Sequence, residues 1–186
     1  MSSARRDHLV DTAAKLFARH GFHATGIDRI LAEAGVAKMT LYNHFKSKDE
    51  LILAALRRKD EAFRNWFMRR VEAKAGTPRA RLLALFDVLA EWFDQPDFAG
   101  CTFAAAAAEF HSAEDPIHAA AAEHKRLLLA YVRDLATKAG ARDPAALSQA
   151  LGLLMEGAIA LAHVCGDDNL KAARHTAKLL IDEALG

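Results

Sequence analysis

The stretch GVAKMTLYNHFKSKDEL, residues 35–51, is dense in side chains that donate hydrogen bonds. These are amine, hydroxyl, phenol, amide and imidazole groups: Lys38, Thr40, Tyr42, Asn43, His44, Lys46 and Lys48. Leu41 and Phe45 are four residues apart and therefore share one face of a helix. If that face is buried, the donors lie on the exposed arc, where they can contact phosphates or base edges. The alternative is a solvated surface helix whose tyrosine and histidine only shield the core.

The elements around this stretch predict how it is positioned. A first helix is expected at about residues 4–20, and a short second helix, with Thr25 as its N-cap, extends to Ala34. Residues 35–37 form a tight turn, and a third helix covers about 38–45. Two short helices joined by a glycine-containing turn form a helix-turn-helix, whose second helix fits the major groove of duplex DNA.

Helical spacing of apolar residues continues along the rest of the chain, and no segment alternates β-branched and polar residues over more than a few positions. Ser47 and Glu50 form the capping box of a long fourth helix that extends to about Ala73. The segment AKAGTPRAR, residues 73–81, then breaks the pattern. Five further helices are expected near residues 78–94, 102–112, 115–139, 144–165 and 168–185.

These elements predict an all-α protein of about nine helices in two domains. Residues 1–47 are expected to form a three-helix DNA-binding domain, and residues 48–186 an α-helical bundle domain. Within the bundle domain, residues 48–73 would form the helix that connects it to the helix-turn-helix.

The net charge of +1 conceals an uneven distribution along the chain. Residues 1–70 hold 14 Lys and Arg against 8 Asp and Glu, whereas residues 71–186 hold 11 against 16. A basic N-terminal part favours contact with a polyanion. The longest run without Asp, Glu, Lys or Arg has 12 residues, too few to cross a bilayer, and acids at positions 7 and 11 interrupt any signal peptide. We therefore expect a cytoplasmic protein without a membrane partner.

Residues 9–56, LVDTAAKLFARHGFHATGIDRILAEAGVAKMTLYNHFKSKDELILAAL, resemble the N-terminal domain of TetR-family transcriptional repressors. The resemblance rests on the pattern A..LF...G followed by T....I...AGV....LY.HF..K..L, and it covers about the first third of the chain. It implies phosphate contacts by five residues, Thr25, Thr40, Tyr42, His44 and Lys48. It implies base contacts by three more, Lys38, Met39 and Asn43.

Met39 departs from the family pattern, because many relatives carry a small residue at this point of the recognition helix. The methionine can touch the methyl group of a thymine. Alternatively, it packs against Tyr42 and leaves base recognition to Lys38. The sequence does not decide between these two interpretations.

The resemblance also implies a homodimer built from the last two helices and an effector cavity formed by the middle ones. The segment 144–165 is apolar or small almost all round, so most of its faces must be covered. Its residues Gly152, Gly157, Ala158 and Ala162 permit a close helix crossing. Recognition of a palindromic operator in double-stranded DNA also requires a dimer. We therefore expect a homodimer through residues 144–165 and 168–185.

An unknown small-molecule effector needs a binding site, and the candidate residues for it are aromatic residues and isolated polar groups in apolar stripes. The predicted set is Phe86, Phe93, Cys101, Phe103, Phe110, His124, Tyr131, Met155, Glu156 and His163. Aromatic residues at helical spacing more often belong to a packed core than to a pocket. An equally good interpretation of His124 is a core histidine bonded to a carbonyl. For Glu156 and His163 the alternatives are a position at the dimer interface or a polar pair within one subunit.

Cys101 follows a loop glycine and precedes a helix, where amide dipoles favour the thiolate. A redox or electrophile sensor is therefore one alternative function. Another is a helical binding module or enzyme whose N-terminal motif contacts protein. No nucleophile with a placed base, phosphate-binding glycine loop or strong metal motif is present. The favoured prediction is a non-enzymatic repressor, without cofactor or metal, released from its operator by the effector.

Overall fold

A computed structural model of the chain describes residues 2–166 and 169–186, apart from the side chains of residues 2 and 3. Every regular element in these ranges is a helix, which confirms the all-α prediction. The nine helices are α1 Ser2–His20, α2 Ile27–Ala34, α3 Lys38–Tyr42, α4 Lys48–Lys74, α5 Pro78–Phe93, α6 Thr102–Glu109, α7 Pro116–Lys138, α8 Pro144–Cys165 and α9 Leu170–Leu185. The last helix was predicted at residues 168–185. Its first position, residue 168, lies outside the described residues, and α9 begins at Leu170.

Glycine ends the helices at both turns that set the position of α3. Gly21 follows α1 with φ +82°, and Gly35 caps α2 with φ +64°, a left-handed conformation that glycine adopts readily. The predicted N-cap of α2 was wrong, because the capping position is Gly26 and no side chain bonds the first turn. The Thr25 hydroxyl instead donates to the Gly21 carbonyl at 2.7 Å. α3 is also shorter than expected and ends at Tyr42.

The predicted capping box opens α4. The Glu50 amide donates to Ser47 Oγ at 3.2 Å, and the Glu50 carboxylate accepts from the Lys46 amide at 2.7 Å, one residue earlier than in the usual box. The predicted break at residues 73–81 is confirmed, since α4 ends at Lys74 and α5 begins at Pro78.

The chain folds into two compact units, 1–62 with 102–124 and 63–101 with 125–186. The first unit therefore holds α6 and the start of α7 in addition to the helix-turn-helix. Its buried core includes Leu9, Leu16, Phe17, Ile30, Leu41, Phe45, Ile52, Leu56, Phe103 and Ile117. The core of the second unit includes Phe67, Leu82, Leu85, Phe86, Leu89, Val132, Leu135, Leu151, Ala177 and Ile181. These units divide the chain differently from the expected boundary at residue 47, which remains a prediction about functional domains.

Among the described residues, α8 is the one helix long and apolar enough to cross a membrane by length and composition. Its most apolar window has a mean hydropathy of 1.5, and 39% of that window is buried. A core helix of a globular protein has the same properties, so this feature is weak evidence for a membrane span.

Candidate nucleic-acid interface and effector cavities

The third helix has one buried and one exposed side. Leu41 is fully buried and Phe45, just beyond the helix, is 4% exposed, whereas Met39 and Tyr42 are 71% and 46% exposed. Lys38 and Asn43 lie on the same exposed side. The predicted inward face of the helix is confirmed, and its outer side presents the three residues predicted to contact bases.

Four of the five residues predicted to contact phosphates are accessible in this structure. Tyr42 is exposed, and Thr40, His44 and Lys48 are half-buried, so each still has surface available to a ligand. Thr25 is fully buried and its hydroxyl is bonded to the backbone. The structure therefore contradicts a phosphate contact by the Thr25 side chain.

Sequence reasoning missed the residue that holds the turn between α1 and α2. The Glu109 carboxylate, at the end of α6, accepts from the amides of Phe22 and His23 at 2.8 and 2.6 Å. His23 Nε2 lies 3.0 Å from the Glu109 carbonyl, and its ring packs against Phe110 with centroids 4.7 Å apart. No local pattern signals these contacts, because the partners are 86 and 87 residues apart.

Two of the predicted effector residues meet in one cavity of the first unit. His124 is 3% exposed, stacks on Phe103 with centroids 3.6 Å apart, and its Nδ1 lies 2.7 Å from Asp60 Oδ1. The adjoining cavity has a volume of about 350 Å³. Its lining combines apolar and charged side chains: Leu56, Arg57, Asp60, Phe103, Pro116, Ala119, Ala120, Glu123 and His124. His124 is therefore buried in the core, as the alternative interpretation held, but its described partner is a carboxylate.

Met155 and Glu156 line a different cavity, a groove of about 470 Å³ between α7 and α8. At one end, Lys125 Nζ donates to Glu156 Oε1 at 2.6 Å and to Cys101 Sγ at 3.2 Å. Burial acts to lower the pKa of Lys125, yet that pKa is raised, because the neighbouring Cys101 and Glu156 outweigh burial. Cys101 itself is half-buried.

Phe86 and Phe93 line a third cavity, of about 490 Å³, in the second unit. Phe86 is fully buried, so it belongs mainly to the core. Arg174 Nε donates to Asp87 Oδ1 at 2.7 Å on another wall of this cavity. The predicted effector residues are thus divided among three cavities.

Four predicted effector residues line none of these cavities: Cys101, described above, and Phe110, Tyr131 and His163. Phe110 packs on Phe22 and His23. Tyr131 is 8% exposed, its hydroxyl has no hydrogen-bond partner among the described residues, and burial raises its pKa to about 12. His163 lies against Phe98 in the second unit. Phe110, Tyr131 and His163 therefore lie outside the three cavities described above, and an effector contact by any of them stays a prediction.

The short second helix, the glycine turn and the exposed third helix define a helix-turn-helix protein with an attached helical bundle. Residues 9–55 match the family described as bacterial regulatory proteins, tetR family, and residues 78–178 match the tetracyclin repressor-like C-terminal domain. The chain belongs to the TetR family of transcriptional regulators.

Individual relatives agree with this assignment. SCO4454, a TetR-family transcriptional regulator from Streptomyces coelicolor, superposes with a TM-score of 0.89 at 31% identity, over 98% of this chain and 90% of that one. The transcriptional activator FasR of Mycolicibacterium smegmatis is 50% identical over 54 residues, 29% of this chain and 25% of its own. The transcriptional repressor KstR2 of the same organism is 36% identical over 87 residues, 45% of this chain and 40% of its own. The matched region thus spans less than half the length of these two relatives.

Proposed function

We propose that the protein is a ligand-responsive transcriptional repressor that binds a palindromic operator as a homodimer. The observation that carries this proposal is the outer side of α3, on which Lys38, Met39 and Asn43 project from a helix-turn-helix held by a buried Leu41. The 71% exposure of Met39 favours contact with a thymine methyl over packing on Tyr42. A transcriptional regulator acts on chromosomal DNA, so we propose that the protein is located in the cytoplasm.

The proposed dimer interface is an apolar stripe on α8 and α9. Leu153, Leu161 and Val164 of α8 are 76%, 44% and 78% exposed, and Leu179 of α9 is 56% exposed. Along α8 the stripe also includes the exposed small residues Gly157 and Ala160, which let a second helix approach closely. Exposed apolar surface of this kind is typical of an interface between copies of a chain. It also accounts for an α8 that is only partly buried in one chain.

We propose that the effector occupies the cavity beside Phe103 and His124. This cavity combines a stacked aromatic pair with a buried histidine and carboxylates, and a few polar groups in an apolar wall give a small-molecule site its specificity. Asp60 belongs to α4, the helix that begins directly after the helix-turn-helix. Repression as the sign of regulation is supported by KstR2, whereas FasR carries the name of an activator.

The decisive test is capture of fragmented genomic DNA on the purified protein, followed by sequencing. We expect enrichment of a short palindrome with half-sites about one DNA turn apart, roughly 34–36 Å. Compounds suggested by the neighbouring genes can then be tested for release of the protein from that DNA. Failure to capture any DNA would overturn the proposal and favour a protein-binding module.

The contact between Lys125 and Cys101 favours a second candidate function, a sensor of electrophiles. A cation beside a partly exposed sulfur is the setting in which cysteines react selectively. The test is alkylation by N-ethylmaleimide in a Cys165→Ser background, since Cys165 is exposed and would react as well. We expect faster alkylation than in the additional Lys125→Met variant, and loss of DNA binding afterwards. Unchanged DNA binding after complete alkylation would exclude this function.

A further inference from the structure

The helix α6 has contacts of different kinds at its two ends. Phe103, in its first turn, stacks on the buried His124 beside the 350 Å³ cavity. Glu109, its last residue, binds the turn that joins α1 to α2. All of these residues belong to the first compact unit. A helix of eight residues is about 12 Å long, so α6 links the proposed effector cavity to the helix-turn-helix over a short distance.

The contact at Glu109 is a two-point clamp on the backbone. Its two carboxylate oxygens accept one amide each, Oε1 from Phe22 and Oε2 from His23, and hydrogen bonds to a charged acceptor are stronger than neutral ones. The preceding Gly21 has φ +82°, and a β-carbon there would lie 2.9 Å from Glu109 Oε1. The turn is therefore shaped for this carboxylate. Glu109 also holds His23 at two points, its amide and its ring Nε2, which lies 3.0 Å from the Glu109 carbonyl, and so restricts the residue that carries the His23 carbonyl.

That carbonyl is bound by a residue of the proposed DNA-contacting set. Lys48 Nζ donates to the His23 carbonyl at 3.3 Å, and Lys48 is the first residue of α4. An ammonium has three donors, so one bond to a carbonyl leaves two for a phosphate oxygen. A long flexible lysine loses much less entropy on binding DNA if its position is set beforehand.

We propose that Glu109 is a positioning residue for DNA binding: it fixes the turn at residues 21–23, and through the His23 carbonyl it holds Lys48 in place for one backbone phosphate. Glu109 does not touch the DNA in this mechanism. A shift of α6 would break the bonds between Glu109 and the turn. Lys48 would then become mobile, and the protein would lose the contact between Lys48 and one phosphate. The inference rests on the proposed function, since it requires that the protein bind duplex DNA.

The salt dependence of binding distinguishes positioning from a general loss of structure. Each phosphate that a protein neutralises contributes about −0.9 to the slope of log K against log salt concentration. We would measure this slope on a random-sequence duplex, because phosphate contacts carry no sequence information. For Glu109→Ala we expect a slope shallower by about 0.9, equal to that of Lys48→Ala, with no further change in the double variant. Glu109→Gln retains one acceptor and should fall between wild type and Glu109→Ala.

The matched control is Glu114→Ala, which removes the same charge at an exposed position just beyond α6. We expect it to keep the wild-type slope. A Glu109→Ala protein that has fewer active molecules but an unchanged slope overturns the inference, because Glu109 would then matter for folding only. An unchanged slope and affinity in Glu109→Ala overturn it as well. If the wild type fails to bind any duplex, the proposed function falls together with the inference; wild-type binding with an unaltered variant slope removes the inference alone.

Discussion

His124 Nδ1 and Asp60 Oδ1 lie 2.7 Å apart and connect α7 to α4. Asp60 lies about two turns beyond Ile52, a fully buried residue near the start of α4. A compound that displaces the His124 ring from Phe103 would also disturb its bond to α4. An occupant of the proposed cavity would therefore act through this pair on α4, the helix that continues from the DNA-binding motif.

His124→Ala should destabilise the fold. The substitution removes a buried ring stacked on Phe103 together with its bond to Asp60, a loss of about 2–4 kcal/mol. For a chain of this length we expect a melting temperature lower by roughly 5–15 °C, measured by circular dichroism. His111→Ala, at an exposed position, serves as the control and should melt like the wild type. Equal melting of both variants would mean that the His124 pair contributes nothing to stability.

Tyr42→Phe should weaken operator binding without altering the fold. Tyr42 is 46% exposed, so loss of its hydroxyl removes one hydrogen bond to phosphate and no packing. We expect a loss of about 1 kcal/mol, or roughly fivefold in Kd, in a fluorescence anisotropy titration. Tyr42→Ala should lose more, and both variants should keep the mass of the dimer. Wild-type affinity in Tyr42→Ala would remove Tyr42 from the interface.

Tyr131→Phe should stabilise the protein, because the buried Tyr131 hydroxyl lacks a partner among the described residues. Removing an unsatisfied buried group gains about 1–3 kcal/mol. The difference should grow in alkali. Burial raises the pKa of Tyr131 to about 12 in the folded protein, from 10 in the unfolded chain. Above pH 10 the unfolded state loses this proton first, so wild-type stability falls between pH 10 and 12.

The measurement is urea denaturation at pH 7 and at pH 11. The phenylalanine variant has no proton to lose at this position and should decline less between the two conditions. An identical decline in both proteins would show that the Tyr131 hydroxyl reaches solvent or a partner. Lower stability of the variant at pH 7 would lead to the same conclusion.

Leu153→Glu should separate the proposed dimer. Leu153 is 76% exposed on the apolar stripe of α8, and a carboxylate there would be desolvated opposite its symmetry mate. We expect the mass from light scattering to fall to that of one chain, with a large loss of operator affinity. Ala130→Glu on α7 is also exposed but lies off the stripe, so it should remain dimeric. A dimer that persists in Leu153→Glu would place the interface elsewhere.

Local spacing predicted the features of the fold that depend on neighbours along the chain. Leu41 and Phe45 are buried as their separation of four residues indicated, and Ser47 opens α4 as its position before Glu50 indicated. Spacing specifies which face of a helix is apolar, but it does not specify the helix that covers that face. For this reason Phe110 was assigned to a cavity and instead packs on the turn after α1.

The candidate site was predictable only in part for the same reason. The exposed side of α3 follows from the sequence of α3 alone. The clamp by Glu109 depends on two backbone amides that follow Gly21, a glycine in a left-handed conformation. These amides are more than 80 residues away from Glu109 in the sequence, as the separation of 87 residues for Phe22 shows. The buried hydroxyl of Thr25 likewise prefers a nearby carbonyl to a role in capping, a competition that residue type does not resolve.

The composition of α6 has a mechanical consequence. Between Phe103 and Glu109 the helix contains only alanines, and of these Ala106 is fully buried while Ala104, Ala105 and Ala108 are exposed. Such a helix resists unfolding, because alanine has the highest helix propensity, and it has few side chains that interlock with its surroundings. We therefore expect α6 to move as one rigid helix. A displacement of its first turn would reach its last turn almost undiminished, without any need for unfolding.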